Sequence, residues 1–211
     1  MIQEKNYYHY FMSNYRDIFE NKGATYADYR ENLTYLLSQG KTTGTDHSEA
    51  MLHYAKMNLQ RMKRVEKTTV LNESLLQALK EVKNNYKFLV ITEGWCGDAA
   101  QIVPVIAQIV SVMPNQFDLK LVLRDENLPL IDEHLTNGGR AIPVLLVLDE
   151  KGDLVLPKWG PRPQVLQDLM ASWKKENLAM EVIAEQLHGW YAKDKTQAIQ
   201  QELIGILKQL N

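Results

Sequence analysis

A single cysteine, Cys96, is all that this 211-residue chain contains. That excludes an internal disulfide and any zinc site built from several thiolates. The five histidines (His9, His47, His53, His134 and His188) never recur at the i, i+3 or i, i+4 spacing of a helical metal pair, so no metal is expected. A glycine-rich phosphate loop is absent, as is a basic nucleic-acid motif. Lys and Arg total 24 against 26 Asp and Glu, and a formal charge of −2 gives no general attraction for nucleic acid or anionic lipid. No apolar run approaches the ~20 residues that span a bilayer. The opening Met1-Ile2-Gln3-Glu4-Lys5 lacks the apolar core of a signal peptide. These absences leave a globular protein with no membrane and no nucleic-acid partner, and a reducing cytoplasm is the expected location. A hydrophobic content of 45% is enough to build a core.

What is present falls into three parts. Residues 1–66 read as an N-terminal helical extension. Its tyrosines begin with Tyr7, Tyr8, Tyr10 and Tyr15, and Tyr26, Tyr29, Leu33, Leu36 and Leu37 recur at helical spacing. They are expected to be amphipathic packing residues, with a ligand-binding aromatic surface as the alternative. A loop over 39–46 leads to a second helix from Ser48 through Met62. Residues 67–177 alternate helix and strand. Asn72 or Ser74 caps a helix bearing Leu75, Leu76, Leu79 and Val82. Phe88-Leu89-Val90-Ile91-Thr92 reads as a buried strand, Ile102 to Val110 as an apolar helix, and Leu119-Lys120-Leu121-Val122-Leu123 as the next strand. A short helix near Leu130 to Leu135 follows. The turn-forming Asp149-Glu150-Lys151-Gly152 predicts a β-hairpin between residues 143–148 and 153–156, and a helix over 163–175 closes the unit. The order α-β-α-β-α-β-β-α predicts an α/β fold, a mixed sheet flanked by helices. Residues 178–211 form a C-terminal helical extension. His188-Gly189-Trp190-Tyr191 is expected to interrupt it, and Ile199, Leu203, Ile206, Leu207 and Leu210 make a stripe to be buried on this chain or across a dimer interface.

The chemistry centres on Thr92-Glu93-Gly94-Trp95-Cys96-Gly97-Asp98-Ala99, between strand and helix. A thiol at a helix N-terminus meets unpaired N–H groups and the positive end of the dipole, both of which favour the thiolate. A dithiol site of the Cys-x-x-Cys type needs a second cysteine at position 99, where the chain has Ala99.

Four features in order resemble the thioredoxin-like family, in particular bacterial members with an acidic residue after Cys-Gly and helical extensions. Trp95-Cys96-Gly97 matches the start of the family's Trp-Cys-Gly-Pro-Cys motif, and Pro104 falls where its active-site helix is commonly kinked. Ile142-Pro143 matches its cis X-Pro bond beside the cysteine, and Gly160 the glycine before its last helix. The resemblance covers residues 72–177. It implies a thioredoxin-like mixed sheet, with Trp95, Gly97, Asp98, Ile142 and Pro143 forming the substrate-binding rim around Cys96. It also implies that Arg140 lies near the thiol, either as a stabiliser of the thiolate and carboxylate binder or as a solvated loop residue. Arg162 reads as structural.

The departures direct the functional reading. Ala99 removes the resolving thiol, Asp98 replaces the proline and opposes ionisation of Cys96, and Val90 replaces the family's buried acid. Glu93 is the nearest substitute for that acid. The first reading is a monothiol thiol–disulfide oxidoreductase, in which Cys96 forms a mixed disulfide with a protein or low-molecular-weight disulfide. Glutathione or another external thiol then releases it, as a co-substrate and not a bound cofactor. The alternative is a non-catalytic thioredoxin-fold binding or regulatory module. A third is an iron–sulfur carrier using Cys96 and glutathione, against which Asp98 adds unwelcome negative charge.

Overall fold

The computed structural model describes residues 13–210, so Tyr7, Tyr8, Tyr10 and His9 lie outside it. A short helix α1 (Tyr15–Asp17) runs into a π-helical turn (Ile18–Lys22). Then come α2 (Tyr26–Ser38), α3 (Glu49–Thr68), α4 (Glu73–Glu81), β1 (Tyr86–Thr92), α5 (Gly97–Val112), β2 (Phe117–Leu123), α6 (Leu128–Asp132), β3 (Val144–Leu148), α7 (Gln164–Lys175), α8 (Met180–Asp194) and α9 (Gln197–Lys208). Local chemistry sets several starts. The side chains of Thr25, Ser48 and Asn72 accept from the backbone N–H three residues on, at 3.1, 3.4 and 2.8 Å.

The sheet has the order β2-β1-β3, with β1 parallel to β2 and antiparallel to β3. The central strand pairs on both edges, so Phe88, Leu89, Val90 and Ile91 are all at most 1% exposed. This is why its sequence is a continuous apolar run and not an alternation. Helix α5 is apolar on nearly every face because it is enclosed, lying against β2, α3 and α9. Both outer edges are covered. Ala24 exchanges two backbone hydrogen bonds with Leu121 of β2, at 2.9 and 2.8 Å.

The predicted hairpin forms only its turn and one strand. The return arm bonds at isolated points: Asp149 N to Asp153 O, Val155 N to Val147 O, and a reciprocal pair between Leu145 and Trp159. The partner numbers shift by two between Val155 and Trp159, so a regular ladder cannot continue. Pro157 lies within the shift and has no N–H to donate.

The C-terminal segment also departs from expectation. Helix α8 passes unbroken through His188, Gly189, Trp190 and Tyr191. Gly189 adds no constraint because a side chain there would meet open space. The break comes at Lys195 and Thr196, with φ of 51° and 68°. The α9 stripe is buried on this chain, with Ile199, Leu203 and Leu207 at most 2% exposed, and α9 packs on α4 and α5. One continuous core runs from Tyr15 to Leu210. Tyr15 and Tyr29 belong to it, whereas Tyr35 and Tyr54 remain exposed. No helix among the described residues is long and apolar enough to cross a membrane.

Candidate functional site

Strand β1 ends on the sheet's buried axis and delivers Glu93-Gly94-Trp95-Cys96 to the start of α5. Cys96 is the N-cap of that helix, and its Sγ accepts from Ala99 N at 3.4 Å. The thiol also donates to the Ile142 carbonyl at 3.4 Å, a bond that only the protonated form makes. Ile142–Pro143 is cis, as is Gly160–Pro161. Gly160 has φ of +116°, and a Cβ built on it collides with the Pro143 carbonyl. The chain there therefore has room only for glycine.

The N-terminal position does not make Cys96 a thiolate. Burial above all, then the charge of Asp98, push its pKa up to about 12. The amides of Ala99 and Asp98 and the charge of Arg162 favour the anion and are outweighed. Cys96 is only 8% exposed, so the dipole acts on a group that has lost its hydration.

Two distant helices provide that cover. From α8, the ring of His188 lies over Gly97, close enough that a Cβ there would be 2.9 Å from its Cε1. The Tyr191 hydroxyl donates to Asp98 Oδ1 at 2.7 Å. From α3, Asn58 is fully buried, donates to the Gly94 carbonyl at 3.1 Å and accepts from Arg61 at 2.7 Å. Asp98 also receives Arg162, whose Nε lies 3.2 Å from Oδ2 and whose Nη2 bonds the same oxygen. The acidic residue after Cys-Gly is thus the hub of a buried ion pair and not a free charge on a substrate rim.

Arg140 does not stand beside the thiol. It forms a two-pronged pair with Asp132 at 2.6 and 2.8 Å on the exposed side of α6. Arg162 is the cation near Cys96. Trp95 is half-buried beneath Arg124, whose guanidinium carbon lies 4.6 Å from the ring centre.

Glu93 is fully buried. Its Oε1 accepts from Asp125 N at 2.9 Å, and its Oε2 has no partner among the described residues. Burial raises its pKa to about 7 against the opposing hydrogen bond from the Asp125 amide. His188 moves the other way, to about 4, through burial and then the charge of Arg61. His188, Tyr191, Asn58 and Arg61 carry no sequence motif. Their only signal is an i, i+3 spacing within each pair, which does not say what they face. Among the described residues, no group of three or more His, Cys, Asp or Glu side chains is placed to hold a metal.

The thioredoxin family profile matches residues 44–174, and the chain belongs to that family. The match takes in α3, which contributes Asn58 and Arg61 to the site. Among solved structures, the chain is similar to a protein of unknown function from Pseudomonas aeruginosa, with 18% identity and a TM-score of 0.62. That alignment covers 95% of this chain and all of the other. It is also similar to an HIV epitope scaffold at 20% identity and a TM-score of 0.52, covering 88% of this chain and 98% of the scaffold. At these identities the likeness is one of fold alone. No curated protein matches the chain.

Proposed function

We propose that this chain is a thioredoxin-fold binding or regulatory module in which Cys96 is held as a neutral thiol and does not turn over. The carrying observation is the thiol's own hydrogen bond: buried Cys96 donates to the Ile142 carbonyl, with α8 packed over the adjoining Gly97. Thiol exchange needs an accessible thiolate, and both requirements are opposed here. The absence of a resolving cysteine at Ala99 agrees with this reading.

The monothiol reading stands second, favoured by one observation. The Ala99 amide already points at Sγ, so a backbone donor is in place for a thiolate if α8 moves away. In that case Cys96 attacks one sulfur of a protein or glutathione disulfide. The S–S bond breaks, a mixed disulfide forms on Cys96, and the other sulfur leaves as thiolate. An external thiol then reverses the capture.

Incubation with oxidised glutathione, followed by intact-mass measurement, separates the two. The module reading expects no adduct on native protein and an adduct on the denatured chain. Rapid formation of a Cys96–glutathione adduct on native protein, abolished in Cys96→Ser, would establish the monothiol reading instead.

A further inference from the structure

We propose that the cleft between α3, the first turns of α5 and the α8–α9 turn is a binding site for a phosphate dianion, as free phosphate or as the phosphoryl group of a small ester. The cleft has a volume of about 240 Å³, and its polar lining includes Arg64, Thr69, Gln101, Lys195 and Thr196. It makes no use of Cys96 and stands apart from the reading above.

Its charge is one-sided. Arg64 and Lys195 both line it, no carboxylate does, and neither cation forms an ion pair among the described residues. The nearest acid in sequence, Asp194, is turned away to cap α9, with both oxygens within 3.2 Å of Ala198 N. Gln101 is 3% exposed, and its Oε1 accepts from Arg64 at 3.1 Å. That bond fixes the carboxamide and leaves its Nε2 as a donor with no partner among the described residues. Thr69 also lines the cleft and is 8% exposed, and its buried hydroxyl has no partner among the described residues, a donor that an acceptor in the cleft would satisfy. Thr196 adds a hydroxyl. Its Oγ1 already accepts from Gln200 at 3.0 Å, so its proton is free for a ligand. Thr196 and Lys195 form the turn between α8 and α9 with left-handed backbone conformations, and both line the cleft.

Two positive charges with amide and hydroxyl donors complement a tetrahedral dianion better than a planar monoanion. The volume lies below the ~300–1,000 Å³ of pockets for drug-sized ligands, which restricts any ester to a short organic part. The burial of Arg61 one turn earlier, and the charge of Arg64 beside it, hold its guanidinium below the ordinary range, a repulsion that a dianion at Arg64 offsets.

The test is calorimetric titration of the full chain with inorganic phosphate, and separately with glycerol 3-phosphate, at ionic strength held constant with chloride. Saturable one-to-one binding is expected, weakened about tenfold in Lys195→Gln and in Arg64→Gln, as loss of one charge-assisted contact requires. Both side chains are exposed, so unchanged melting curves will verify that the variants fold. Tighter binding of the ester assigns the site to a phosphoryl compound, and equal binding assigns it to free phosphate. Heat that does not saturate, or affinity unchanged in both variants, overturns the proposal.

Discussion

Tyr191 and Asp98, 93 residues apart, are joined by a 2.7 Å hydrogen bond that lays α8 across the start of α5. The bond occupies the acidic residue and brings His188 over Gly97, next to the only thiol. Access to Cys96 and its ionisation are therefore both governed by a helix outside the strand–helix unit that carries it.

Native protein should react with iodoacetamide at neutral pH at least about tenfold more slowly than free cysteine, because few thiols are ionised and fewer are accessible. Tyr191→Ala, which removes both the hydrogen bond and the aromatic cover, should accelerate the reaction. The rate is followed by mass spectrometry under pseudo-first-order conditions. Wild-type protein reacting as fast as free cysteine would sink this account.

Asp98→Asn should destabilise the protein by about 3 kcal/mol or more, since Arg162 is left as a largely buried cation without its carboxylate. The same change should lower the Cys96 pKa, because the opposing charge goes while Arg162 stays. Urea unfolding measures the first effect and the pH dependence of alkylation the second. A thiol that still titrates as in wild type would show that Asp98 is not opposing its ionisation.

Glu93 and His188 should give pH slopes of opposite sign that partly offset each other. Glu93 has a raised pKa of about 7, so the native state holds the proton more tightly, and stability falls as pH rises from the ordinary carboxylate range to about 7. His188 has a depressed pKa of about 4, so its contribution is complete above the ordinary imidazole range and is lost as pH falls toward about 4. Wild-type stability should therefore change less across the shared window than that of either variant. Glu93→Gln should expose the acid-side loss and His188→Asn the loss on raising pH, the latter on the order of 3 kcal/mol and the former smaller, because the His188 ring is partly exposed to screening solvent. Denaturant midpoints at a series of pH values decide it, and parallel curves for the two variants would refute the opposition.

Gly160→Ala should cost about 3 kcal/mol or more, because a Cβ at φ +116° collides with the Pro143 carbonyl. Thermal unfolding provides the measurement. A loss below about 1 kcal/mol would mean that the return arm can shift away from β3.

Much of the architecture is legible in local patterning. The apolar run of β1, the helix starts at Ser48 and Asn72 and the N-cap position of Cys96 depend on neighbours close along the chain, whereas the stations of Pro143 and Gly160 follow from the family resemblance and meet only in the fold. The hairpin is misread because a turn signal says nothing of a two-residue register shift further out, where Pro157 interrupts pairing. The interruption expected at His188-Gly189-Trp190-Tyr191 fails for a related reason. Gly189 faces open space, and Tyr191 gains a buried partner in Asp98 only once α8 is in place.

The ionisation state of Cys96 lies beyond local patterning altogether. The strand–helix junction supplies the backbone donors that favour a thiolate, and those donors are present. Desolvation opposes them, and it depends on helices α3 and α8, which approach from opposite ends of the chain to exclude water. The order of residues places a lone thiol at a helix N-terminus, but only the assembled fold makes it a buried hydrogen-bond donor, because hydration is lost through packing and not through neighbours in sequence.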